Sequence, residues 1–349
     1  MSISIWPTQA IEELATRLEA DSGLAQALQY CVGQVLGGEH YDSWLRFEAG
    51  HETPWSVIGL FQPEFEFLHE LGITGDDGRL RCKFGQAGSS VLLTDGPWVD
   101  KTIRVFPYTD ESSRLVDSVR ELGLFRWADR IVDPACGAGT HRLWFPPDVT
   151  SLSLDVNPRA VAYARINQAV NTLPGTVAVG DINSGLPDFD DDDRTLVMFN
   201  MPFALAPMPE VLPLTSDGGR TGAKLTFAAL SAARDFAAKR SPLSTAIAFV
   251  CYSVGNPETC QWEVIDKTLD LFPDRRVMFN VHADAALWRI NGRKVHRNPM
   301  PVECLKDKAQ CQFDVKGNRE EVALQYDNLA GELRRNGHTH VGYMSVVVL

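Results

Sequence analysis

Hydrophobic residues near the start of the chain recur every three or four positions, the spacing of an amphipathic helix. The series is Ile11, Leu14, Leu18, Leu24, Leu28, Val32 and Val35. Thr8 is the predicted N-cap of a first helix, and Gly23 marks the predicted break before a second. A third helix is predicted over 63–71, and the runs GRLRCKFG and SSVLLTD follow as strands joined by a hairpin turn at 86–88. This order predicts a mainly helical accessory domain of winged-helix type over residues 1–95.

From about residue 110 the pattern changes to short apolar runs that alternate with helical periodicity. The predicted strands are RIVDPAC, SLSLDV, TVAVGD, TLVMFN, STAIAFVCYSV, RVMFNVH and YMSVVVL. The alternation predicts a second domain, residues 96–349, of the α/β class, with a doubly wound sheet and helices on both faces. Asn157 and Pro158 are the predicted N-cap and first residue of one of these helices. A polar insert at about 283–335 mixes short strand-like pieces with one helix predicted over Arg319–Arg335, and loops of that size are more often functional than idle.

The composition is that of a globular protein, since 44% of the 349 residues are hydrophobic and the mean hydropathy is -0.13. No apolar run approaches the roughly 18 residues of a transmembrane helix, and the N-terminus lacks a secretory signal pattern. We therefore expect a cytoplasmic protein with no membrane partner. A net charge of -12 weighs against nucleic-acid binding, which depends on neutralising phosphates. The acidic run Asp188–Asp193 is interpreted as a solvated loop.

The seven cysteines include no CxxC pair, which indicates reduced thiols rather than a disulfide framework or a zinc site. His338 and His340 would share one face if Thr339 lay on a strand, but no third ligand is apparent in the sequence. We therefore predict no metal site.

The sequence IVDPACGAGTHRLWF reads as a strand, a turn of small residues and the start of a helix. Gly137 and Gly139 would let the backbone approach a ligand closely while helix N–H groups point towards it. The spacing fits neither a GxGxxG fingerprint nor a P-loop. Asp155 ends the next predicted strand, where a carboxylate can accept both hydroxyls of a ribose. Asp181 ends the third strand, where it could contact an adenine amino group.

The residues from Asp133 to Gly139, D-P-A-C-G-A-G, resemble motif I of class I S-adenosylmethionine-dependent methyltransferases, in particular the amino-methyltransferases that act on adenine N6. The segment Arg104–Asp117 resembles the one that precedes motif I in glutamine and RNA N-methyltransferases, and the resemblance covers roughly 91–255. It implies a seven-stranded Rossmann-like methyltransferase sheet, with S-adenosylmethionine as cofactor and S-adenosylhomocysteine as its product. The implied cofactor-binding residues are Asp133, Ala135, Gly137, Gly139, Asp155, Asp181 and Asn200.

The stretch Thr195–Pro207, TLVMFNMPFALAP, ends an apolar strand with a carboxamide. In the same superfamily the fourth strand often ends in N-P-P-Y or N-P-P-F, which Asn200-Met201-Pro202-Phe203 resembles. The amide oxygen of Asn200 and the carbonyl of Met201 would accept hydrogen bonds from a substrate nitrogen and stabilise the charge that develops on it. Pro202 would fix the turn, and Phe203 would stack on the planar group. Met201 replaces a family proline, which favours a secondary or ring nitrogen; the alternative is that Asn200 only caps a turn.

Several other residues have both a structural and a functional interpretation. The stretch Thr215–Lys224, TSDGGRTGAK, resembles the glycine-rich turn that follows this motif in glutamine methyltransferases, or is an ordinary loop. Cys136 could pass for a nucleophile, but the sequence identifies no base to activate it, so we expect packing. Trp98, Phe106 and Tyr108 would either line a pocket or pack in the core.

Three functions are compatible with the sequence. The favoured one is an N-methyltransferase acting on a planar amide or heterocyclic nitrogen of a small molecule, because of the acidic charge, Met201 and an insert long enough to form a lid. The second is the same chemistry on a macromolecule, either a protein glutamine or an amino group of RNA or DNA. The third is a non-catalytic S-adenosylmethionine-binding regulator. A homodimer through residues 1–95 is a further expectation.

Overall fold

The structure, a computed structural model, describes residues 5–37, 62–75, 80–96, 99–100, 102–105, 110–189, 193–241, 243–285, 289–290, 293–294, 296–310 and 317–349. The chain divides into two compact units. The first comprises Met1–Thr109 and Cys136–Gly180, and the second comprises Asp110–Ala135 and Asp181–Leu349. The domain boundary predicted at residue 95 falls inside the first unit and stays a prediction.

The helices are α1 (Thr8–Ala20), α2 (Ser22–Gly37), α3 (Gln62–Glu70), α4 (Asp110–Glu121), α5 (Leu124–Trp127), α6 (Pro158–Val170), α7 (Lys224–Ala238), α8 (Glu263–Leu271) and α9 (Arg319–Arg335). The strands are β1 (Lys83–Ala87), β2 (Ser90–Thr94), β3 (Arg130–Asp133), β4 (Thr150–Asp155), β5 (Thr176–Val179), β6 (Thr195–Phe199), β7 (Thr245–Asn256), β8 (Gln261–Trp262), β9 (Val277–Val281), β10 (Arg289–Ile290), β11 (Arg293–Lys294), β12 (Met300–Pro301) and β13 (His340–Val348). Short 3-10 segments cover Arg142–Trp144, Ile182–Ser184 and Val302–Gln310.

In the first unit, α1 and α2 pack against α6 and share a hydrophobic core with the antiparallel hairpin β1–β2. Its buried members include Trp6, Ile11, Leu14, Leu18, Leu28, Leu93, Tyr163 and Ile166. Strands β4 and β5 pair in parallel and also contact α6. Because α6 has neighbours on several sides, most of its residues are buried, and its sequence shows no polar face.

A buried ion pair between Asp95 and Arg159 anchors the N-terminal segment of this unit. The Arg159 Nε donates to Asp95 at 2.7 Å, while its Nη1 donates to the carbonyl of Trp6 at 2.6 Å. Asp95 also accepts from the hydroxyl of Tyr163 and the backbone N–H of Val105, each at 2.9 Å. Each charged group is therefore compensated, as burial of an ion pair requires.

In the second unit, β3, β6 and β7 form a parallel ladder in that order. Strand β13 pairs antiparallel with β7 along its whole length, from His340 opposite Gly255 to Val348 opposite Ile247. Its other edge pairs with β9, so β13 lies between β7 and β9. The two-residue strand β8, beside β7, is not among the predicted strands, whereas β12, beside β13, lies in the insert where short strand-like pieces are predicted.

Helices cover both faces of β7. Tyr252 and Ser253 are consecutive residues of this strand and so point to opposite faces. Ser253 accepts a hydrogen bond from the backbone N–H of Val264 in α8. Tyr343, paired with Tyr252, donates its hydroxyl to the carbonyl of Glu111 in α4. The predicted α/β class, with mainly parallel strands and helices on both faces, is confirmed.

Helix ends show where sequence reasoning was right and where it was wrong. Asn157 caps α6 by accepting from the backbone N–H of Arg159, with proline at the first turn, as predicted. The predicted N-cap at Thr8 is wrong, because Pro7 occupies the cap position and no side chain caps α1. The break between α1 and α2 lies at Asp21, whose carboxylate accepts from the backbone N–H of Leu24, and not at Gly23.

None of the six cysteines in the described part of the chain forms a disulfide. Among the helices that the structure describes, none combines the length and the apolar composition needed to cross a bilayer.

Candidate functional site

The glycine turn after β3 depends on the backbone freedom of Gly137. Its φ is +52°, a region that other residues rarely adopt, and a Cβ at this position would meet no heavy atom within 4 Å. Its backbone N–H donates to the Oδ2 of Asp155 at 2.8 Å. The first unit therefore holds a left-handed turn beside a carboxylate, with open space next to the glycine.

Gly139 serves a different purpose in the same turn. Its φ is +77°, and a Cβ there would lie 3.1 Å from the Cβ of Ala164 in α6. The turn packs against the helix because neither residue has a larger side chain. The backbone N–H of Cys136 donates to the carbonyl of Leu154 at 2.8 Å, which ties the turn to β4 as well.

The carboxylate of Asp155 is fixed by backbone donors at the end of β4. Besides the bond from Gly137, its Oδ1 accepts from the backbone N–H of Asn157 at 2.9 Å. The side chain is half-buried, so solvent still reaches it. A carboxylate held in this way is pre-organised to accept hydrogen bonds from a ligand.

Asn167 of α6 and Asn171, the residue that caps the C-terminus of this helix, support the glycine turn and the hairpin. The amide of Asn167 donates to the carbonyls of Leu93 and Ala138, each at 2.9 Å, and accepts from the N–H of Leu93 at 2.8 Å. Asn171 makes the same reciprocal pair with Val91. Side-chain amides thus bind the edge of β2 much as a neighbouring strand would, and Asn167 extends that contact to the glycine turn.

Asp133 and Asp181, both predicted to bind the cofactor, lie in the second unit and make local backbone bonds. Asp133 is 2% exposed, and its carboxylate accepts from the backbone N–H of Ala135 at 3.2 Å. The exposed Asp181 accepts from the backbone N–H and the amide of Asn183, at 2.9 and 2.8 Å. Asp133 ends β3 as predicted, whereas Asp181 lies two residues beyond the end of β5 and caps the 3-10 segment Ile182–Ser184; their cofactor roles stay predictions.

The carboxamide of Asn200 follows β6 and is half-buried. Its Nδ2 donates to the hydroxyl of Ser112 in α4 at 3.4 Å, a long hydrogen bond. Among the residues that the structure describes, none donates to its Oδ1. Met201 is 3% exposed, so the thioether that replaces the family proline packs in the interior. The amide oxygen of Asn200 is therefore free to accept from a ligand.

The glycine-rich turn Thr215–Lys224 lies directly against Phe203. A Cβ on Gly218 would come 2.7 Å from the Cα of Phe203, and a Cβ on Gly222 would overlap its carbonyl oxygen. The backbone N–H of Gly218 donates to the carbonyl of Ala204 at 2.9 Å. The glycines therefore allow the backbone of this turn to pack directly on the backbone of Phe203. The turn thereby positions the residues that follow β6, Asn200–Phe203, which we call the tip after β6.

Four rings form an aromatic cluster beside that tip, consisting of Phe203, Tyr252, Tyr343 and His282. The centroid of Phe203 lies 4.7 Å from that of Tyr252 and 5.9 Å from that of Tyr343, and His282 lies 5.3 Å from Tyr343. Burial raises the pKa of the Tyr343 hydroxyl, which stays protonated. Sequence reasoning missed Tyr252, Tyr343 and His282. An aromatic residue within an apolar strand does not indicate which distant residue it contacts.

His282 is held in one orientation by a chain of hydroxyls. Its Nε2 lies 3.1 Å from the Oγ of Ser345, which accepts from the hydroxyl of Ser118 at 2.9 Å. Burial lowers the pKa of His282, and the charge of Arg114 lowers it further while Asp284 opposes this. These interactions therefore favour the neutral form of the imidazole in the folded protein.

The remaining sequence candidates have local roles or lie outside the described residues. Trp98, Phe106 and Tyr108 belong to the latter group. Cys136 is buried, in keeping with packing. Thr339 precedes β13 rather than lying on a strand, so the condition for a shared face of His338 and His340 is not met.

No protein-family model matches the chain, and no curated protein sequence matches it either. A proposed sarcosine dimethylglycine methyltransferase from Galdieria sulphuraria has a TM-score of 0.39 and 9% identity, over 72% of this chain and 94% of that one. A Pyrococcus abyssi tRNA (uracil-54, C5)-methyltransferase has a TM-score of 0.36 and 16% identity, over 57% and 40%. A Haemonchus contortus phosphoethanolamine N-methyltransferase has a TM-score of 0.37 and 10% identity, over 68% and 52%. Similarity this low carries no argument about activity.

Proposed function

We propose that the chain is an S-adenosylmethionine-dependent N-methyltransferase that acts on a planar amide or heterocyclic nitrogen of a small molecule. The observation that carries the proposal is the contact between Gly137 and Asp155. A left-handed glycine with open space beside it donates its N–H to a carboxylate fixed at a strand end. This arrangement suits a nucleoside ligand such as S-adenosylmethionine. The ribose hydroxyls of the ligand need a hydrogen-bond acceptor, and its amino-acid part needs a protein backbone that approaches closely.

The residues present fit this cofactor. Asp155 would accept the ribose hydroxyls, and the turn at Gly137 would lie along the amino-acid part of the cofactor. The family resemblance also implies Asp133, Ala135 and Asp181 as cofactor-binding residues; these lie in the second unit, and their role stays a prediction. When bound, S-adenosylmethionine supplies an activated methyl group, so the protein mainly has to orient the nitrogen that receives it.

The tip after β6 supports a planar nitrogen acceptor. The Oδ1 of Asn200 and the carbonyl of Met201 would accept hydrogen bonds from the acceptor and stabilise positive charge as it develops on the nitrogen. Phe203, backed by the rings of Tyr252 and Tyr343, offers a surface on which a planar group can stack.

The net charge of -12 supports a small-molecule acceptor over RNA or DNA. A protein glutamine fits the same amide geometry and is kept as the alternative acceptor. A regulator that binds the cofactor without catalysis would need the turn and Asp155 but not the carboxamide of Asn200. The class of acceptor therefore distinguishes the small-molecule enzyme from the protein-modifying one. A catalytic role of Asn200 distinguishes both enzymes from the regulator.

The test begins with mass spectrometry for a co-purified ligand, followed by calorimetric titration with S-adenosylmethionine and S-adenosylhomocysteine. We expect one site per chain with a dissociation constant on the order of micromolar, which is typical of working substrate levels. A methyl-transfer assay then compares small heterocycles and amides with a glutamine peptide and RNA. Failure to bind either ligand would overturn the cofactor assignment, whereas binding without transfer to any acceptor would favour the regulator.

A further inference from the structure

Three side chains of different chemistry converge near β12, outside the candidate site. The Nε2 of His296 lies 2.9 Å from an oxygen of Asp307. One ring nitrogen of His296, one carboxylate oxygen of Asp307 and the sulfur of Cys304 all lie within 4.8 Å of one another. We call this group the His–Cys–Asp cluster.

Local backbone geometry brings the three together. Cys304 and Asp307 are three positions apart in the 3-10 segment Val302–Gln310, and a 3-10 helix places residues at that spacing directly above one another. His296 precedes β12. The pairing of β12 with β13 fixes the chain between His296 and the 3-10 segment. All three side chains are half-buried, so the cluster is fixed by the fold and still reached by solvent.

This donor set is selective for one class of ligand. Imidazole nitrogen, thiolate sulfur and carboxylate oxygen together suit Zn²⁺ and similar divalent transition ions, whereas Mg²⁺ and Ca²⁺ take oxygen ligands alone. Around zinc, donors at about 2.0–2.3 Å in tetrahedral arrangement lie roughly 3.3–3.6 Å apart. The observed limit of 4.8 Å therefore requires only a small inward movement of the side chains.

We propose that His296, Cys304 and Asp307 bind a zinc ion or a similar divalent transition ion, with the fourth coordination position taken by solvent. Binding replaces the His296–Asp307 contact with bonds to the metal and converts the Cys304 thiol to a thiolate, releasing its proton to solvent. The thiolate, not the thiol, is the metal ligand, so the metal must compete with the proton of Cys304. The affinity accordingly rises with pH.

The site would be structural and would act on α9. The 3-10 segment packs against α9, and Glu303 pairs with Arg334 of that helix. Tyr326 of α9 donates its hydroxyl to the carbonyl of Leu205 at 2.9 Å, just beyond the tip that carries Asn200. A metal here would fix the segment that supports this helix, independently of any methyl transfer.

Cobalt titration tests the proposal directly. The full chain is stripped with a chelator, reduced, and titrated with Co²⁺ while absorbance is recorded. We expect one Co²⁺ per chain, a thiolate-to-cobalt charge-transfer band and visible bands of tetrahedral intensity, all abolished when Zn²⁺ is added in excess. Zinc should also raise the midpoint of thermal unfolding, since a ligand that binds only the folded state stabilises it.

Variants distinguish the cluster from adventitious binding. Cys304→Ser should abolish the charge-transfer band and the thermal shift. His296→Ala should weaken Co²⁺ binding by more than about tenfold, because loss of a residue that only supports a ligand already weakens metal binding by at least that factor. Cys260→Ser, at an exposed thiol elsewhere, and Cys311→Ser, outside the described residues, should retain both signals. A band that survives in Cys304→Ser, a band lost in Cys311→Ser, or no band and no thermal shift in the folded chain would overturn the proposal.

Discussion

The side chain of Asn167 and the backbone of Leu93 exchange two hydrogen bonds, at 2.8 and 2.9 Å, although the residues are 74 positions apart. A third bond from the same amide reaches the carbonyl of Ala138 in the glycine turn. One buried side chain therefore satisfies three backbone groups that belong to different parts of the first unit. A single carboxamide therefore connects α6, the edge of β2 and the glycine turn.

Asn167→Ala should lower both the stability of the protein and its affinity for the cofactor. It leaves three backbone groups without a partner, each costing about 1–3 kcal/mol when buried. The matched control is Asn171→Ala, which breaks the corresponding pair with Val91 but has no contact with the turn. Urea unfolding should show both variants destabilised, and calorimetry should show weaker binding of S-adenosylhomocysteine only in Asn167→Ala.

Asp155→Ala should weaken binding of S-adenosylmethionine by at least tenfold, because hydrogen bonds to a charged group contribute about 1.5–3 kcal/mol each. Asp235→Ala, which removes an exposed carboxylate paired with Arg234, is the control and should leave the affinity unchanged. Calorimetric titration measures both. Equal affinity in Asp155→Ala and the parent protein would show that this carboxylate does not contact the cofactor.

Asn200→Ala should spare cofactor affinity and lower kcat by about 10²–10³, the usual cost of removing one group that stabilises charge in the transition state. Its amide has only the long contact to Ser112, so the structure should tolerate the change. Asn336→Ala, at an exposed carboxamide just beyond α9, is the matched control. A loss of cofactor affinity as large as that of Asp155→Ala would contradict the assigned role.

Gly222→Ala should be more damaging than Gly337→Ala, although both glycines have positive φ, +81° and +86°. A side chain at such a φ costs about 1–2 kcal/mol in each case. Only at Gly222 would the new methyl group also overlap the carbonyl oxygen of Phe203, whereas Gly337 has no heavy atom within 4 Å of that position. We expect a further cost of about 1–3 kcal/mol and a loss of turnover in Gly222→Ala. Equal unfolding midpoints would show that the turn does not constrain Phe203.

His282 should make stability depend on pH in a defined window. Because its pKa is lowered in the folded protein by burial and by Arg114, the unfolded chain binds the proton more readily. Stability should therefore fall as the pH drops below about 6.5, the ordinary histidine value, and level off below the lowered pKa. Thermal unfolding across this range should show a shallower slope in His282→Asn. The control His338→Asn, at a half-buried histidine, should keep the slope of the parent protein. An unchanged slope in His282→Asn would exclude His282 as its source.

Much of the fold could be predicted from local patterns. The bounds of α9 agree with the prediction over Arg319–Arg335, and Asn157 and Pro158 locate the start of α6, because capping chemistry is written in adjacent residues. The cap of α1 could not be assigned in this way, since Pro7 sets the backbone without donating or accepting through a side chain.

Contacts between distant residues were beyond sequence reasoning. Within a helical pattern, Asn167 cannot be distinguished from any other polar residue. Its structural role depends on a hydrogen bond to Leu93 of β2, which is far away in the chain. His296, Cys304 and Asp307 follow no common metal-binding spacing, and a 3-10 segment, which aligns the last two, leaves no periodic signal of its own. The order of motif I, Asp155 and Asn200 was recognisable because each lies at a strand end, where side chains cluster by topology alone.

The position of β13 between β7 and β9 has an evolutionary consequence. Both ends of the connection from β9 to β13 are anchored in one sheet, so the connection can lengthen or shorten while the strand register stays the same. Each doubling of a flexible loop costs only about 0.6 kcal/mol in closure entropy. Descendants of a common ancestor could therefore change the length of this region while keeping Tyr326, whose hydroxyl binds the carbonyl of Leu205 beyond β6.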